Sequence, residues 1–141
     1  VPLHGCRLSH FQQQVGQQLA HRVQAVFHHD ILDAAVFPIG GGALSGKHLT
    51  HIDRIGAYAA REAALRAVRS GASECLVRLA WAPNRPEPLD VFYDMAGRGR
   101  REGAAFFHHG ALAERYDARA ITPQLAQGGH FYDTGTPWNR V

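Results

Sequence analysis

Apolar residues at Leu8, Phe11, Val15, Leu19, Val23 and Val26 recur at steps of three and four, with Gln, Arg and His between them. That period predicts an amphipathic helix of about five turns. Ser9, with Gln12 three positions on, supplies a capping box, and the helix is expected to end near His28-His29-Asp30. The short apolar stretch Pro2–Cys6 before it reads as a first strand. A second helical stripe runs through Ile55, Tyr58, Ala59, Leu65 and Val68, with Asp53 placed to cap its start and Gly71 its end. Between the two stripes, four glycines fall within the seven residues 40–46, which predicts a mobile loop. Lys47–Thr50 then reads as a brief strand.

Beyond Gly71 the period shortens to two. Cys75–Trp81 alternates apolar and polar side chains and predicts a half-buried strand. The proline-rich link 82–88 leads to another strand over Leu89–Tyr93. Ala104–Phe107 is apolar but too short to classify. Glu114–Ile121 reads as a late strand ended by Thr122-Pro123, and turn formers crowd the tail 128–141. With no internal repeat, 141 residues predict a single α+β domain over 1–141, a mixed sheet core with two main helices.

Composition agrees with a packed interior: 45% of residues are hydrophobic and 19% charged. No apolar run approaches the ~20 residues that span a bilayer, so no membrane partner is expected. No secretory leader is expected at Val1-Pro2-Leu3, and the non-Met start suggests a processed product or a domain excised from a longer chain. Cys6 and Cys75 lack CxxC spacing and leave a single bridge open. The formal charge of +3 is modest, but Arg98, Arg100 and Arg101 cluster in AGRGRREG. Such a cluster suits phosphates or an acidic protein, or is simply a solvated basic loop.

Three separated pieces stand in a suggestive order: His4-Gly5-Cys6, the block GGGALSGKHLT, and Ala57-Tyr58-Ala59. In that order they resemble the diphtheria-toxin and poly(ADP-ribose) polymerase branch of the ADP-ribosyltransferase superfamily, over roughly residues 2–94. The resemblance implies a bacterial-style toxin or effector domain, secreted or delivered into a target-cell cytoplasm as part of a longer chain. It implies transfer of ADP-ribose from NAD to a macromolecular acceptor, protein or nucleic acid, with a cognate inhibitor as a further partner. On that reading Gly5 meets the nicotinamide amide and His4 a ribose hydroxyl. Cys6 stands where the family has Ser or Thr, His48 takes the place of a second pocket tyrosine, and Tyr58 stacks on the nicotinamide ring.

A transferase of this kind needs a carboxylate beside the oxocarbenium-like ribose. Asp117 and Ile121-Thr122-Pro123 fit the family's late-strand ending, but the position of its Glu falls near Leu112. Glu114 is two residues away, a shift of ~6.6 Å along a strand. Either Glu114 acts as the catalytic acid from a shifted register, or Glu102 substitutes from the preceding loop, or the site lacks its acid and binds NAD with weak turnover or none.

Three other chemistries compete. Cys6, just before a helix, forms a thiol-hydrolase set with His130 and Asp133, on the nucleophile–base–orienter pattern. The pairs His28-His29 and His108-His109 invite a metal, although no HExxH or paired CxxC is present. A non-catalytic module binding through Arg98–Arg101 is the third.

Overall fold

The computed structural model describes residues 44–117, 119–131 and 133–141. The expected first strand, the helix from Leu8, the glycine run before Leu44 and the residues His4, Gly5 and Cys6 lie outside them.

Helix α1 (Ile52–Arg69) is the spine of the described fold. Its sequence carries six alanines, the residue with the best intrinsic helix propensity, and their small side chains let other elements approach closely on most sides. Ile55, Tyr58, Ala59, Ala60, Ala63, Ala64 and Ala67 are all fully buried. His51, not the expected Asp53, is the N-cap: its Nδ1 accepts the Asp53 N–H at 3.2 Å. Arg66 and Arg69 sit in the last turn, where cations complement the helix dipole. Gly71 follows the C-cap Ser70 as expected, with φ +124°. A side chain there would meet the Arg98 carbonyl oxygen at 2.7 Å, so a turn this tight requires glycine.

Strands β1 (Ala72–Ala80) and β2 (Asp90–Gly97) pair antiparallel, with Val77 opposite Tyr93 and Leu79 opposite Val91. Cys75, Val77 and Leu79 alternate onto the buried face and join α1 in one hydrophobic core. Both strands fall close to where they were expected: β1 begins three residues earlier and stops before Trp81, and β2 begins one residue later and runs on to Gly97. The link between them carries three prolines and turns at Asn84, φ +60°. Leu89 and Phe92 are exposed on the hairpin.

The second half departs from expectation. Ala104–Phe107 is a 3-10 turn, and the late strand predicted over Glu114–Ile121 does not form. Its place is taken by helix α2 (His109–Arg115), a 3-10 turn at Arg119–Ile121 and helix α3 (Thr122–Ala126), which Pro123 helps to start. The physical reason is visible in the burial. Leu112 and Tyr116 both enter the core, and their spacing of four is helical, whereas Glu114 midway between them is exposed. Lys47–Thr50 is likewise no strand but a pair of turns, closed by Lys47 N–H to Leu44 O at 3.1 Å and His51 N–H to His48 O at 3.0 Å. The described residues thus form an α+β arrangement of three helices and a two-stranded antiparallel sheet. The larger mixed sheet of an ADP-ribosyltransferase is not among them. No described helix is long and apolar enough to cross a membrane.

The tail folds back over α1. Trp138, in a 3-10 turn (Pro137–Asn139), lies flat on Tyr58 with ring centroids 3.5 Å apart and planes 1° from parallel. Tyr116 meets both rings edge-on. Arg61 Nε donates to Asn139 Oδ1 at 2.9 Å, tying the tail to the helix a turn further on. On another side, Glu62 reaches across to α2, where it accepts the Tyr116 hydroxyl at 2.5 Å and is held by Arg66 at 2.6 Å.

Candidate functional site

The turns over Leu44–His51 carry the chain into α1, and three charged side chains gather there. Lys47 lies in the loop, Asp53 in the first helical turn, and Arg54 beside it. The Lys47 Nζ stands 3.9 Å from Asp53 Oδ2, and His51 Nδ1 lies 3.7 Å from the same oxygen. The other Asp53 oxygen is buried without a hydrogen-bond partner among the described residues.

Arg54 is the most unusual group of the three. It is 1% exposed. Its Nε donates to the Tyr58 hydroxyl at 3.1 Å and its Nη1 to the Lys47 carbonyl at 3.0 Å, which fixes the plane of the guanidinium. Its Nη2 has no partner among the described residues. None of the ion pairs among the described residues includes Arg54. Burying an uncompensated charge costs several kcal/mol or more, and a fold retains one where something else supplies the counter-charge. A fixed fork with a spare donor, next to a lysine, is the arrangement that takes the oxygens of a phosphate or carboxylate.

Around it the sequence-predicted residues are distributed differently from expectation. Tyr58 is wholly buried, one ring face covered by Trp138, with His130 stacked at 5.8 Å and Phe131 edge-on. No face is left for a nicotinamide. Its hydroxyl is raised in pKa, chiefly by burial and against the lowering effect of Arg54. His48 is exposed and turns back on its own loop, with Nδ1 3.0 Å from Thr50 Oγ1. Glu114 is exposed on α2. Glu102 is bound between Arg66 at 3.4 Å and Arg100 at 2.9 Å. His4, Gly5 and Cys6 are outside the described residues, and of the late-strand signature Asp117 pairs with Arg119 at 2.5 Å on the surface.

The competing chemistries fare no better. His130 spends Nε2 on Ser45 Oγ and Nδ1 on the Tyr58 hydroxyl, each at 2.8 Å. The Asp133 carboxylate instead accepts the Gly135 N–H at 2.8 Å, so it does not orient that imidazole for a thiol at Cys6. Arg100 is taken up by Glu102, and Arg101 lies 6.0 Å from the Tyr93 ring centroid, which leaves Arg98 as the residue of the basic cluster without such a partner among those described. His109 Nε2 donates to the Thr50 carbonyl at 2.8 Å. No group of three His, Cys, Asp or Glu able to hold a metal occurs among the described residues.

Sequence reading passed over Lys47 and Arg54. The signal was present: Arg54 lies four residues before Tyr58, on the apolar stripe of its own helix. A charge in that place is either a misfit or a site.

No solved structure matches the chain. The family model described as "S-adenosylmethionine synthetase, C-terminal domain" matches residues 30–140, which takes in every element above. This overturns the ADP-ribosyltransferase resemblance and the functions drawn from it. ADP-ribose transfer, the toxin or effector role and NAD as substrate all fall with it. The His-Gly pair, the glycine-rich block and the helix tyrosine are common pieces whose order matched by coincidence. The chain belongs to the S-adenosylmethionine synthetase C-terminal domain family.

Proposed function

We propose that this chain works as part of a methionine adenosyltransferase, which makes S-adenosylmethionine from ATP and methionine. That product requires a new bond from the methionine sulfur to C5′ of the ribose. The C5′–O bond breaks, and the triphosphate leaves with its negative charge increased. Catalysis of such a step calls for fixed cations around the departing phosphates.

The buried Arg54, with no counter-charge and no partner for its Nη2 among the described residues, is the observation that carries the reading. Arg54 and Lys47 are the residues assigned to the polyphosphate. Lys47 O anchors the guanidinium, so the loop and the helix present both cations from one rigid corner. Asp53 holds the lysine. Tyr58 serves by orienting Arg54 from within the core, and His48 and Glu114 are given no part.

Calorimetric titration with ATP and with inorganic tripolyphosphate tests the assignment, alongside an assay for S-adenosylmethionine. Wild-type protein binds both anions. Arg54→Met removes a charge-assisted contact of ~1.5–3 kcal/mol, which weakens binding about 10- to 150-fold. Wild-type protein that binds neither anion, or an Arg54→Met variant that is folded and binds as well as wild type, overturns it.

A further inference from the structure

We infer that His130 is the positioning residue of the loop Leu44–Lys47, latching it to α1 through a hydrogen-bond chain with one allowed direction; its functional side rests on the assignment of Lys47 and Arg54 to the polyphosphate. The direction follows from donor counting. Arg54 Nε can only donate, so the Tyr58 oxygen accepts from it at 3.1 Å. The tyrosine proton then points to His130 Nδ1, 2.8 Å away, which makes Nδ1 the acceptor. A neutral imidazole with Nδ1 bare carries its proton on Nε2, and that proton is donated to Ser45 Oγ at 2.8 Å. The serine hydroxyl in turn donates to the Leu125 carbonyl at 3.1 Å. Every donor and acceptor in the series is used once, and the series ends on a backbone oxygen of α3.

The imidazole is itself held in place. The Trp138 indole N–H donates to the His130 carbonyl, and the ring lies 19° from the Tyr58 plane. Tail, helix and loop thus meet on one side chain. Ser45 is two residues before Lys47, so the latch fixes the loop directly beside the lysine. Serine is not activated by this arrangement, because the histidine donates to it. The role is positional.

Protonation opposes the latch. A second proton would sit on Nδ1, where the Tyr58 proton must arrive, and beside the Arg54 guanidinium. The groups facing the ring are Arg54 and Tyr58 of α1, the Ser45 hydroxyl of the loop and the Leu125 carbonyl of α3. Burial first, and Arg54 second, lower the imidazole pKa from its ordinary value. A histidine with a lowered pKa in the closed state binds fewer protons there than in the open one. Closure is therefore complete above the ordinary histidine value and weakens as the pH falls below it toward the lowered value of the closed state.

Hydrogen exchange read by mass spectrometry on the loop peptide, with tripolyphosphate titrated in parallel, tests this. In Ser45→Ala and His130→Ala the loop exchanges about three- to tenfold faster than in wild type, the loss of one latch bond. The double variant falls short of the product of the two single effects, because the Ser45–His130 bond is lost only once. His130→Gln keeps an N–H donor and restores part of the protection. The wild-type protection factor falls with pH below ~6.5, and that of His130→Gln does not. Tripolyphosphate affinity falls with loop protection. Should His130→Ala not fold, Ser45→Ala, a change at an exposed residue, carries the comparison. Unchanged loop exchange in folded variants, additive single effects, or the same pH response in His130→Gln overturns the latch. Wild type that shows the exchange pattern without binding tripolyphosphate keeps the latch and removes the polyphosphate assignment.

Discussion

Tyr116→Phe tests whether the carboxylate of Glu62 joins α1 to α2. The tyrosine is 1% exposed, and its hydroxyl donates to Glu62 Oε2 at 2.5 Å. Oε1 of the same carboxylate is already taken by Arg66, through Nε at 2.9 Å and Nη2 at 2.6 Å. Removing the hydroxyl leaves Oε2 buried with Arg115 Nη1 3.8 Å away, too far for a hydrogen bond. Phenylalanine fills the same ring volume, so the cavity contribution is negligible and the lost bond decides the effect. A hydrogen bond to a charged group contributes ~1.5–3 kcal/mol. At roughly 4 °C per kcal/mol for a domain of this size, the melting temperature drops by about 6–12 °C. Urea unfolding gives the free energy directly. In a Glu62→Gln background the acceptor is neutral, and the same substitution costs only ~0.5–1.5 kcal/mol. A loss below ~0.5 kcal/mol in the wild-type background, the level of ordinary surface changes, refutes the argument. Equal losses in the two backgrounds refute it as well.

Two further outcomes follow from local geometry. Gly71→Ala places a methyl 2.7 Å from the Arg98 carbonyl oxygen at φ +124° and destabilises by ~1–3 kcal/mol, whereas Gly103→Ala, with nothing within 4 Å, stays within ~0.5 kcal/mol of wild type. The Cys75 thiol is pushed up to about 11, chiefly by burial. Peptide-mapped alkylation of Cys75 at pH 8 should run at least ~100-fold slower in native protein than in urea. The folded state keeps a proton that the unfolded state gives up, so this group's contribution to stability falls as pH rises from about 9 to 11. Native labelling as fast as unfolded labelling would place the thiol outside the core.

The central fold was legible where one period dominated. The stripe Ile55, Tyr58, Ala59, Leu65, Val68 and the closing Gly71 located α1, alternation located the first strand of the hairpin, and the proline-rich link marked the start of the second. Past residue 100 the elements shorten to seven residues or fewer, less than two full turns, and Glu114-Arg115-Tyr116 fits either period over so short a window. Tertiary burial of Leu112 and Tyr116 settles it as helix. The site was harder to read for a different reason. Lys47 and Arg54 are ordinary residues in a sequence, and what marks Arg54 is its burial without a counter-charge among the described residues, which only packing reveals. His130 was noticed, but for a partner, Asp133, that binds elsewhere. The motifs behind the ADP-ribosyltransferase resemblance are each frequent, and their order carries no information on whether Tyr58 has an open face, which its burial under Trp138 decides.

The stacking of Trp138 on Tyr58 also bears on how the chain reaches this state during synthesis. A ribosome makes α1 and the hairpin well before residue 138, so the apolar ring of Tyr58 waits uncovered while the rest is translated. The growing domain can assemble its helix and strands early, but the lid over its central aromatic comes with nearly the last residues described. A chain stopped between α3 and Trp138 would leave most of the described secondary structure able to form around an open greasy seat. Chaperones and proteases act on such surfaces, so the docking of Trp138 on Tyr58 is the step that removes this one from view.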